Sequence, residues 1–408
     1  MRLLIVVHQF MPEYRGGTEH VAMRLARLAQ RNGHFVRVLT CVTGELVGHW
    51  QQWGESLFEE SYQGVPVTAF RRADLDERAD YSLDGNDRMT TEIERLLERD
   101  HFDICHVMHS MRMVTAIDAI RRQGIPYVLT LTDFFLPCYR INLINQEGTV
   151  CSGPKSGSVC IATCMAPEWN DEKLVNRADT GSRILAQAAQ VVCPSDYMAH
   201  RFRAEYTGLD VQVIPHGIDI IAFPRPSKRL PRALTFGYLG SIGRIKGVDI
   251  LLSAFRNVQC DDARLELVGA YENEEFGAEI ARMVSADARV TLRGPVEASE
   301  VPLLLPQFDV LCIPSVVPET FSLVLHEASA AGVPSLVSSL GAPSLYVEKH
   351  NCGRVLAAGD QDAWTSAIQD LCDDSSVLAS WSKSLPLPLR QEEEAFFYQS
   401  LYRQVLEN

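Results

Sequence analysis

Long apolar runs, low-complexity tracts and an excess of basic residues are all missing from this chain of 408 residues, and each absence excludes a class of protein. No apolar run approaches about 18 residues, so the sequence predicts no transmembrane helix. Hydrophobic residues make up 46% of the chain, which predicts packed cores and argues against disorder. The formal net charge of −14 disfavours nucleic acid as a partner. Two domains of ordinary size are expected at this length.

The beginning of the chain and its cysteines predict where the protein resides. The opening stretch MRLLIVVHQF is short, contains His8 and lacks a small-residue cleavage site, so it indicates a buried first strand and not a signal peptide. Eleven cysteines without an export signal are typical of reduced thiols, and we therefore expect a cytoplasmic protein. The first half of the chain carries the smaller share of the acidic excess, which leaves open a peripheral contact with the inner face of a membrane.

Strands and helices alternate along both halves of the chain, with one long irregular stretch that ends at Tyr62. Residues 2–8 form an uninterrupted apolar run, the pattern of a strand that is buried on both faces of a parallel sheet. Repeated strand–helix–strand units predict an α/β fold with a parallel sheet in each half. Residues 222–232 contain three prolines and four basic residues, a composition typical of a linker.

A stretch late in the chain, PSVVPETFSLVLHEASAAGVP, combines two acids with a helix N-terminus. A helix is predicted from Thr320 to Gly332, where the proline that follows ends it. Glu319 precedes its first turn and Glu327 lies two turns inside, which corresponds to roughly 12 Å of helical rise. That separation is comparable to the distance between the two sugars of a nucleotide-sugar. The helix start leaves backbone amides free to bind an anion such as a diphosphate. These amides belong to Phe321, Ser322 and Leu323.

Two interpretations of the acids remain open. In the functional interpretation, the nearly apolar helix buries part of Glu327, and the buried carboxylate needs partners such as the hydroxyls of a ribose. In the structural interpretation, Glu319 is a solvated acid of a loop, and Glu327 is a charge on the polar side of an amphipathic helix.

The motif PETFSLVLHEA, followed by GVP, resembles the donor-site signature of the GT-B glycosyltransferases in the family called glycosyl transferases group 1. The resemblance covers nearly the whole chain apart from residues 138–180. It implies two Rossmann-like parallel-sheet domains that face a cleft, with an acceptor-side domain of residues 1–221 and a nucleotide-sugar-binding domain of residues 222–387. A final helix within residues 388–408 would cross back to pack on the first domain. The apolar residues on one face of this helix are Phe396, Phe397, Leu401, Tyr402 and Val405.

The resemblance assigns roles to residues of the second domain. Glu319 would contact the donor sugar, and Glu327 would contact the ribose of the nucleotide. Lys246, in a segment similar to the family's G-R-L-x3-K-G motif, would neutralise the donor diphosphate. Ser241 stands at the position of the family's arginine, and Arg244 follows three residues later as a candidate substitute. The structural alternatives are a solvated lysine near a helix start and an arginine that is only a loop cation.

Two features of the first domain are also assigned to the site. Gly16 and Gly17 lie at the predicted turn from strand to helix, where a close approach or a positive φ favours glycine. The family's G-G-x-E segment at this place borders the donor diphosphate and the acceptor cleft, although a plain turn is the alternative. His109 ends a predicted strand, at the edge where open α/β sheets bind ligands. It joins Glu319 and Lys246 as a candidate catalytic residue, with a purely structural histidine as the alternative.

Four of the eleven cysteines fall within 27 residues of a segment that is rich in glycine, proline and serine. Such a segment cannot bury a core of its own. Four thiolates could hold a structural zinc ion or an iron–sulfur cluster, and a subset of the family carries a similar Cys-rich insertion. Partly buried free thiols and disulfides are the alternatives. The resemblance implies no catalytic metal, because cations and helix dipoles replace Mg²⁺ at the diphosphate. The candidate structural ligands are Cys138, Cys151, Cys160 and Cys164.

The predicted function is transfer of a hexosyl unit from a nucleotide diphosphate sugar to a hydroxyl group of a glycan, a lipid or a small molecule. The family alone implies retention of anomeric configuration and favours UDP as the nucleotide. One alternative is a sugar-nucleotide 2-epimerase of the same fold. The other is a non-catalytic nucleotide-sugar-binding protein, suggested by Ser241 and by Thr132, which replaces the histidine of the family's T-L-H-D motif before Asp133. The sequence identifies neither the acceptor nor the oligomeric state.

Overall fold

The computed structural model describes residues 1–46, 48–76, 79–164, 171–223 and 233–407. Contacts between residues divide the chain into two compact units. Unit 1 comprises Met1–His216 with Gln391–Asn408, and unit 2 comprises Gly217–Arg390. Most of the predicted linker, residues 224–232, lies outside the described residues.

The strands of unit 1 form one sheet around a fully buried apolar strand. The strands are β1 (Arg2–Val7), β2 (Phe35–Val42), β3 (Gln51–Trp53), β4 (Leu57–Tyr62), β5 (Val65–Arg71), β6 (Ile104–Val107), β7 (Tyr127–Thr130), β8 (Gln190–Cys193) and β9 (Val211–Val213). Their order is β3-β4-β5-β2-β1-β6-β7-β8-β9, and neighbours from β5 to β9 run parallel. The prediction of a first buried strand is confirmed, because Leu3 to Val7 are almost inaccessible to solvent.

The stretch that ends at Tyr62 was predicted to be irregular, and this prediction is wrong. It contains β3 and β4, which pair antiparallel with each other, and β4 pairs antiparallel with β5 at the edge of the sheet. Most residues of these two strands are exposed or half-buried. An edge hairpin of this kind needs no continuous apolar run, so its sequence lacks the signal of a buried strand.

The helices of unit 1 connect these strands. They are α1 (Gly17–Arg31), α2 (Asp87–Asp100), α3 (Val114–Arg122), α4 (Ser158–Thr163), α5 (Asp171–Gln187) and α6 (Asp196–Glu205). Side chains cap two of them: Asn86 accepts a hydrogen bond from the amide of Met89 at the start of α2, and Ser195 accepts one from Met198 at the start of α6. Such caps satisfy amides that have no partner within the helix.

Unit 2 is a parallel sheet that is covered by helices on both faces. Its strands are β10 (Thr235–Leu239), β11 (Arg264–Val268), β12 (Val290–Arg293), β13 (Val310–Ile313), β14 (Ser335–Ser338) and β15 (Gly353–Leu356). Its helices are α7 (Val248–Arg256), α8 (Glu274–Ser285), α9 (Val301–Leu304), α10 (Leu323–Ala330), α11 (Ala342–His350), α12 (Gln361–Asp373) and α13 (Val377–Ser384). The strand order β12-β11-β10-β13-β14-β15 is that of a dinucleotide-binding sheet, with its topological switch point between β10 and β13.

The last helix, α14 (Gln391–Glu407), belongs to unit 1 through its contacts. Its buried face includes Leu401 and Tyr402 as predicted, but Phe396 and Phe397 are 62% and 44% exposed. Polar partners set this rotation. Glu394, which is inaccessible to solvent, accepts hydrogen bonds from Arg24 and from Nδ1 of His216.

Two tyrosines of α14 complete this polar interface with the sheet. The hydroxyl of Tyr402 lies 2.6 Å from Nδ1 of His106, and the hydroxyl of Tyr398 lies 3.0 Å from the hydroxyl of Thr130. Burial lowers the pKa of His106 to about 3, so this histidine is neutral at physiological pH. None of the described helices is long and apolar enough to cross a membrane.

Candidate functional site

The switch point of unit 2 brings together two residues that are 73 positions apart in the chain. Lys246 follows β10 and Glu319 follows β13, and Lys246 Nζ lies 2.9 Å from Glu319 Oε1. The hydroxyl of Ser315 donates a hydrogen bond to the same carboxylate oxygen. Only 13% of the Glu319 side chain is exposed. The prediction that these residues share one site therefore has a direct geometric basis, although their catalytic roles remain predictions.

Backbone packing holds the two segments in register. The amide of Val316 donates to the carbonyl of Ile245 at 3.0 Å. Gly247 has a φ of +68°, and a Cβ at this position would lie 2.1 Å from the carbonyl oxygen of Pro314. A glycine is therefore required where the lysine-bearing turn crosses the end of β13.

The charge of Glu319 is stabilised by its neighbours. Burial alone would favour the neutral acid, but the Lys246 ammonium and the hydrogen bonds from Ser315 and Lys246 hold the pKa of Glu319 below its ordinary value. The carboxylate is thus ionised at neutral pH and can only accept hydrogen bonds. A ligand hydroxyl is a suitable donor to it.

Helix α10 begins three residues later than predicted, at Leu323 and not at Thr320. Ser322 has a φ of +73°, a left-handed conformation that ends the loop and starts the helix. The estimate of 12 Å of helical rise from Glu319 to Glu327 is therefore wrong, because the chain is helical only from Leu323. Glu327 lies little more than one turn inside the helix and is half-buried.

The later start also moves the amides that are free to bind an anion. Helix geometry leaves the amides of the first turn without an acceptor in their own helix. These amides now include Leu323 and Val324, in addition to Ser322 at the N-cap. The amide of Phe321 precedes this turn. The phenyl ring of Phe321 stacks on the imidazole of His326, with centroids 3.9 Å apart.

The other two predicted donor-binding residues of unit 2 lie in the loop after β10. Ser241 is exposed, and its carbonyl accepts a hydrogen bond from the Tyr238 hydroxyl at 2.5 Å. Arg244 pairs with Glu279 of α8 at 2.5 Å, and its guanidinium lies 4.7 Å from the ring centroid of Phe276. The structure thus places the Arg244 guanidinium against α8 and gives it no recorded contact with Lys246 or Glu319.

The corresponding edge of the unit 1 sheet carries a pair of histidines. His8 follows β1 and His109 follows β6, and their rings stack with centroids 3.8 Å apart. His109 Nε2 lies 2.6 Å from Asp133 Oδ2, and the amide of Met111 donates to His109 Nδ1 at 3.1 Å. Because Nδ1 accepts a hydrogen bond, the ring proton is on Nε2 and is donated to Asp133. In this arrangement His109 has no free lone pair, so it holds Asp133 in place and is not ready to act as a base.

Gly16 and Gly17 mark the start of α1, but neither has a positive φ. Gly16 is extended, and a Cβ there would lie 2.5 Å from Glu19 Oε2. The approaching group is the far end of the flexible acid in the same G-G-x-E segment, so a movement of that side chain would relieve the contact. Gly17 is simply the first residue of the helix. Their donor-binding role remains a prediction.

Sequence reasoning did not assign His8 or Glu19 to the site. His8 Nε2 lies 3.9 Å from Glu19 Oε1, and both residues are buried. Burial lowers the pKa of His8 well below its ordinary value, assisted by His109 and Arg112, and burial raises the pKa of Glu19. The signal in the sequence was positional, since His8 directly follows the first strand and Glu19 lies in the first turn of the first helix.

None of the four clustered cysteines takes part in a disulfide. Cys138, Cys160 and Cys164 are buried and Cys151 is half-buried. Burial, with the other three thiols nearby, raises the pKa of Cys160 to about 12, so it is protonated. Within the described residues, no three His, Cys, Asp or Glu side chains are grouped as ligands of a metal. The geometry gives no support to a zinc or iron–sulfur site. That hypothesis remains a prediction for elemental analysis of the purified protein, and residues 165–170 of the segment lie outside the described residues.

Comparison with protein families finds two matches that together span most of the chain. The model described as Glycosyltransferase Family 4 matches residues 15–221, half of the chain. The model described as Glycosyl transferases group 1 matches residues 233–374, which include β10 to α12.

Among curated proteins, the phosphatidyl-myo-inositol mannosyltransferase of Mycobacterium leprae is 29% identical over 181 residues, or 42% of this chain and 46% of that protein. The D-inositol 3-phosphate glycosyltransferase of an Arthrobacter species is 24% identical over 318 residues, or 73% of this chain and 70% of that protein. The alignment thus spans about half the length of the first relative.

Solved structures show the same fold at low identity. A sucrose-phosphate synthase from Thermosynechococcus elongatus superimposes with a TM-score of 0.75 at 18% identity, covering 100% of this chain and 99% of that one. The Anabaena protein HepE in complex with UDP superimposes with a TM-score of 0.64 at 15% identity, covering 100% and 98%. The two-sheet architecture is therefore the one predicted from the sequence.

Proposed function

The chain belongs to the family 4, group 1 glycosyltransferases, and from this we propose that it transfers a hexosyl unit from a nucleotide diphosphate sugar to a hydroxyl group, with retention of anomeric configuration. The observation that carries the proposal is the half-buried pair of Lys246 and Glu319 beside the N-terminus of α10. A cation, a carboxylate and a helix N-terminus in one place match the charges of a diphosphate and the hydroxyls of its sugar.

Each of these groups has one task in the proposed donor complex. The Lys246 ammonium and the amides at the start of α10 bind the diphosphate and stabilise the charge that develops on it as the glycosidic bond breaks. Glu319 accepts hydrogen bonds from the hydroxyls of the donor sugar. Glu327, half-buried in α10, accepts those of the ribose. No step in this scheme needs a metal ion.

Two comparisons narrow the first substrates to test. HepE was solved with UDP and with UDP-glucose, which supports a UDP-sugar as the first donor. The names of the two curated relatives both contain inositol, which supports a cyclitol hydroxyl as the first acceptor to test. The polar edge of unit 1, with His109 and Asp133, is assigned to the acceptor.

A single incubation series tests the proposal. The protein is mixed with UDP- and GDP-sugars, with and without inositol or inositol phosphate, and the free nucleotide and the sugar products are measured. We expect release of nucleoside diphosphate that depends on the acceptor. Formation of an epimer without acceptor would indicate a 2-epimerase instead, and binding without turnover would indicate a non-catalytic protein.

A further inference from the structure

We propose that His326 is a positioning residue for the donor site, and that it holds Ser322 in the left-handed conformation from which α10 begins. The inference rests on the proposed function, since it concerns how the diphosphate-binding amides are kept in place. His326 lies one turn inside α10 and is buried, with 9% of its surface exposed.

The imidazole of His326 contacts the N-cap residue directly. Its Nδ1 lies 3.0 Å from the carbonyl oxygen of Ser322. A carbonyl can only accept, so Nδ1 carries the ring proton and donates it. The carbonyl of an N-cap residue already accepts the first hydrogen bond of its helix. The side chain of His326 therefore adds a second donor to the same oxygen and restrains the peptide plane after Ser322.

Aromatic neighbours fix the orientation of that imidazole. The ring of Phe321 stacks on it with centroids 3.9 Å apart and planes 7° apart, and the ring of Tyr346 from α11 packs against it at 4.6 Å. The hydroxyl of Tyr346 bonds to the hydroxyl of Ser329 in α10 at 3.1 Å, which ties the tyrosine to the same helix. The imidazole of His326 thus contacts the carbonyl of Ser322 and the ring of Phe321.

This restraint matters because the backbone conformation of Ser322 is energetically unfavourable for a residue with a side chain. Its φ of +73° and ψ of +89° lie in a region that residues with a Cβ rarely adopt. Such conformations persist only where the surroundings hold them, and they are found at ligand-binding sites. If residue 322 returned to ordinary values, the amides of Leu323 and Val324 would no longer have their present direction. The direction of these amides is what the bound diphosphate would require.

Two substitutions separate the hydrogen bond from the ring stacking. His326→Phe keeps an aromatic ring between Phe321 and Tyr346 but cannot donate to Ser322. His326→Asn loses the ring but places an amide N–H close to the position of Nδ1. We expect His326→Phe to weaken UDP binding about fivefold, the usual effect of one lost hydrogen bond. His326→Asn should bind UDP more tightly than His326→Phe, and the KM for the acceptor should stay unchanged in both.

A rescue experiment gives the decisive result. Glycine adopts positive φ without a steric penalty, so Ser322→Gly makes the restraint unnecessary. In the Ser322→Gly background, His326→Phe should change the Kd for UDP by less than about twofold, and the difference between backgrounds is the coupling between the two residues. Equal losses in both backgrounds, or no loss in the single variant, would overturn the inference.

The same titrations separate this inference from the proposed function. If the unmodified protein binds neither UDP nor GDP, the proposed function fails and the inference fails with it. If it binds a nucleotide and His326→Phe binds equally well, the inference alone fails. Thermal unfolding of every variant identifies any that does not fold. If His326→Phe is unfolded, UDP binding by His326→Asn is compared instead with and without Ser322→Gly.

Discussion

In each sheet the first strand lies between the second strand and a later one, β6 in unit 1 and β13 in unit 2, yet the chemistry at the two switch points is opposite. In unit 2, a lysine and a carboxylate stabilise each other, and the pKa of Glu319 is lowered. In unit 1, burial lowers the pKa of His8 and raises that of Glu19, so both residues tend toward their neutral forms. One topology therefore supports one edge that stabilises an ion pair and another where burial disfavours the charged forms of His8 and Glu19.

This comparison predicts that substitutions in unit 2 change the use of the donor, whereas substitutions in unit 1 change the use of the acceptor. The two effects are separable because the KM of each substrate can be measured at saturation of the other.

The largest effect is expected for Lys246→Ala. The change removes the cation proposed for the diphosphate and leaves the half-buried carboxylate of Glu319 without its charge partner. We expect kcat/KM for the donor to fall by about 10²- to 10³-fold, the usual loss when a group that stabilises a developing charge is removed. Steady-state kinetics with a UDP-sugar measure it.

Two other cations of unit 2 serve as controls for Lys246. Lys349→Ala removes an exposed lysine of α11 and should have no effect on the donor. Arg244→Ala should cost less than about fivefold, because its guanidinium lies against Glu279 and Phe276. If Arg244→Ala were as damaging as Lys246→Ala, the placement of the diphosphate at Lys246 would be contradicted.

The two glutamates should separate turnover from donor binding. Glu319→Gln keeps the shape of the side chain but removes the charge that pairs with Lys246, and we expect kcat to fall about 100-fold. Glu327→Gln should raise the KM for the donor about tenfold with little change in kcat, because ribose contacts are equal in ground and transition states. The same kinetic pattern in both variants would contradict the assigned roles.

A smaller effect is expected at the edge of unit 1. His109→Phe keeps a ring stacked on His8 but loses the hydrogen bond to Asp133. We expect the KM for the acceptor to rise about tenfold, because the carboxylate loses its orienting partner. The Kd for UDP, measured by calorimetry, should not change. A matching loss of UDP binding would place His109 on the donor side instead.

The smallest effect concerns the dependence of stability on pH. The folded-state pKa values of His8 and His106 lie below the ordinary value, so unfolding takes up protons at intermediate pH. The stability that these neutral histidines contribute is complete above about pH 6.5 and is lost as the pH falls through the folded-state values. The denaturant midpoint of unit 1 should therefore be lower at about pH 5 than at about pH 7.5. His106→Asn, although less stable throughout, should show a smaller difference between the two conditions.

The sequence predicted the elements that carry a local pattern and missed those that do not. Apolar runs identified the parallel strands, and the glycine and proline after α10 identified its end. The start of α10 was predicted too early because Ser322, a residue without a preference for positive φ, has a φ of +73° that no local sequence pattern indicates. The exposed face of α14 was misjudged because Glu394 pairs with Arg24 and His216, while Tyr398 and Tyr402 bond to side chains of the sheet.

By itself, the sequence determined the α/β fold, the two parallel sheets and the acids of the donor motif, because periodicity and helix-end signals are local properties of the chain. Only the tertiary structure decided which charges meet. Lys246 was predicted beside the diphosphate and Arg244 as its companion, yet folding pairs Lys246 with Glu319 and Arg244 with Glu279. Residues far apart in the chain become neighbours only when the strand order brings their loops to one edge of a sheet. That order depends on packing over the whole unit and cannot be read from any short segment.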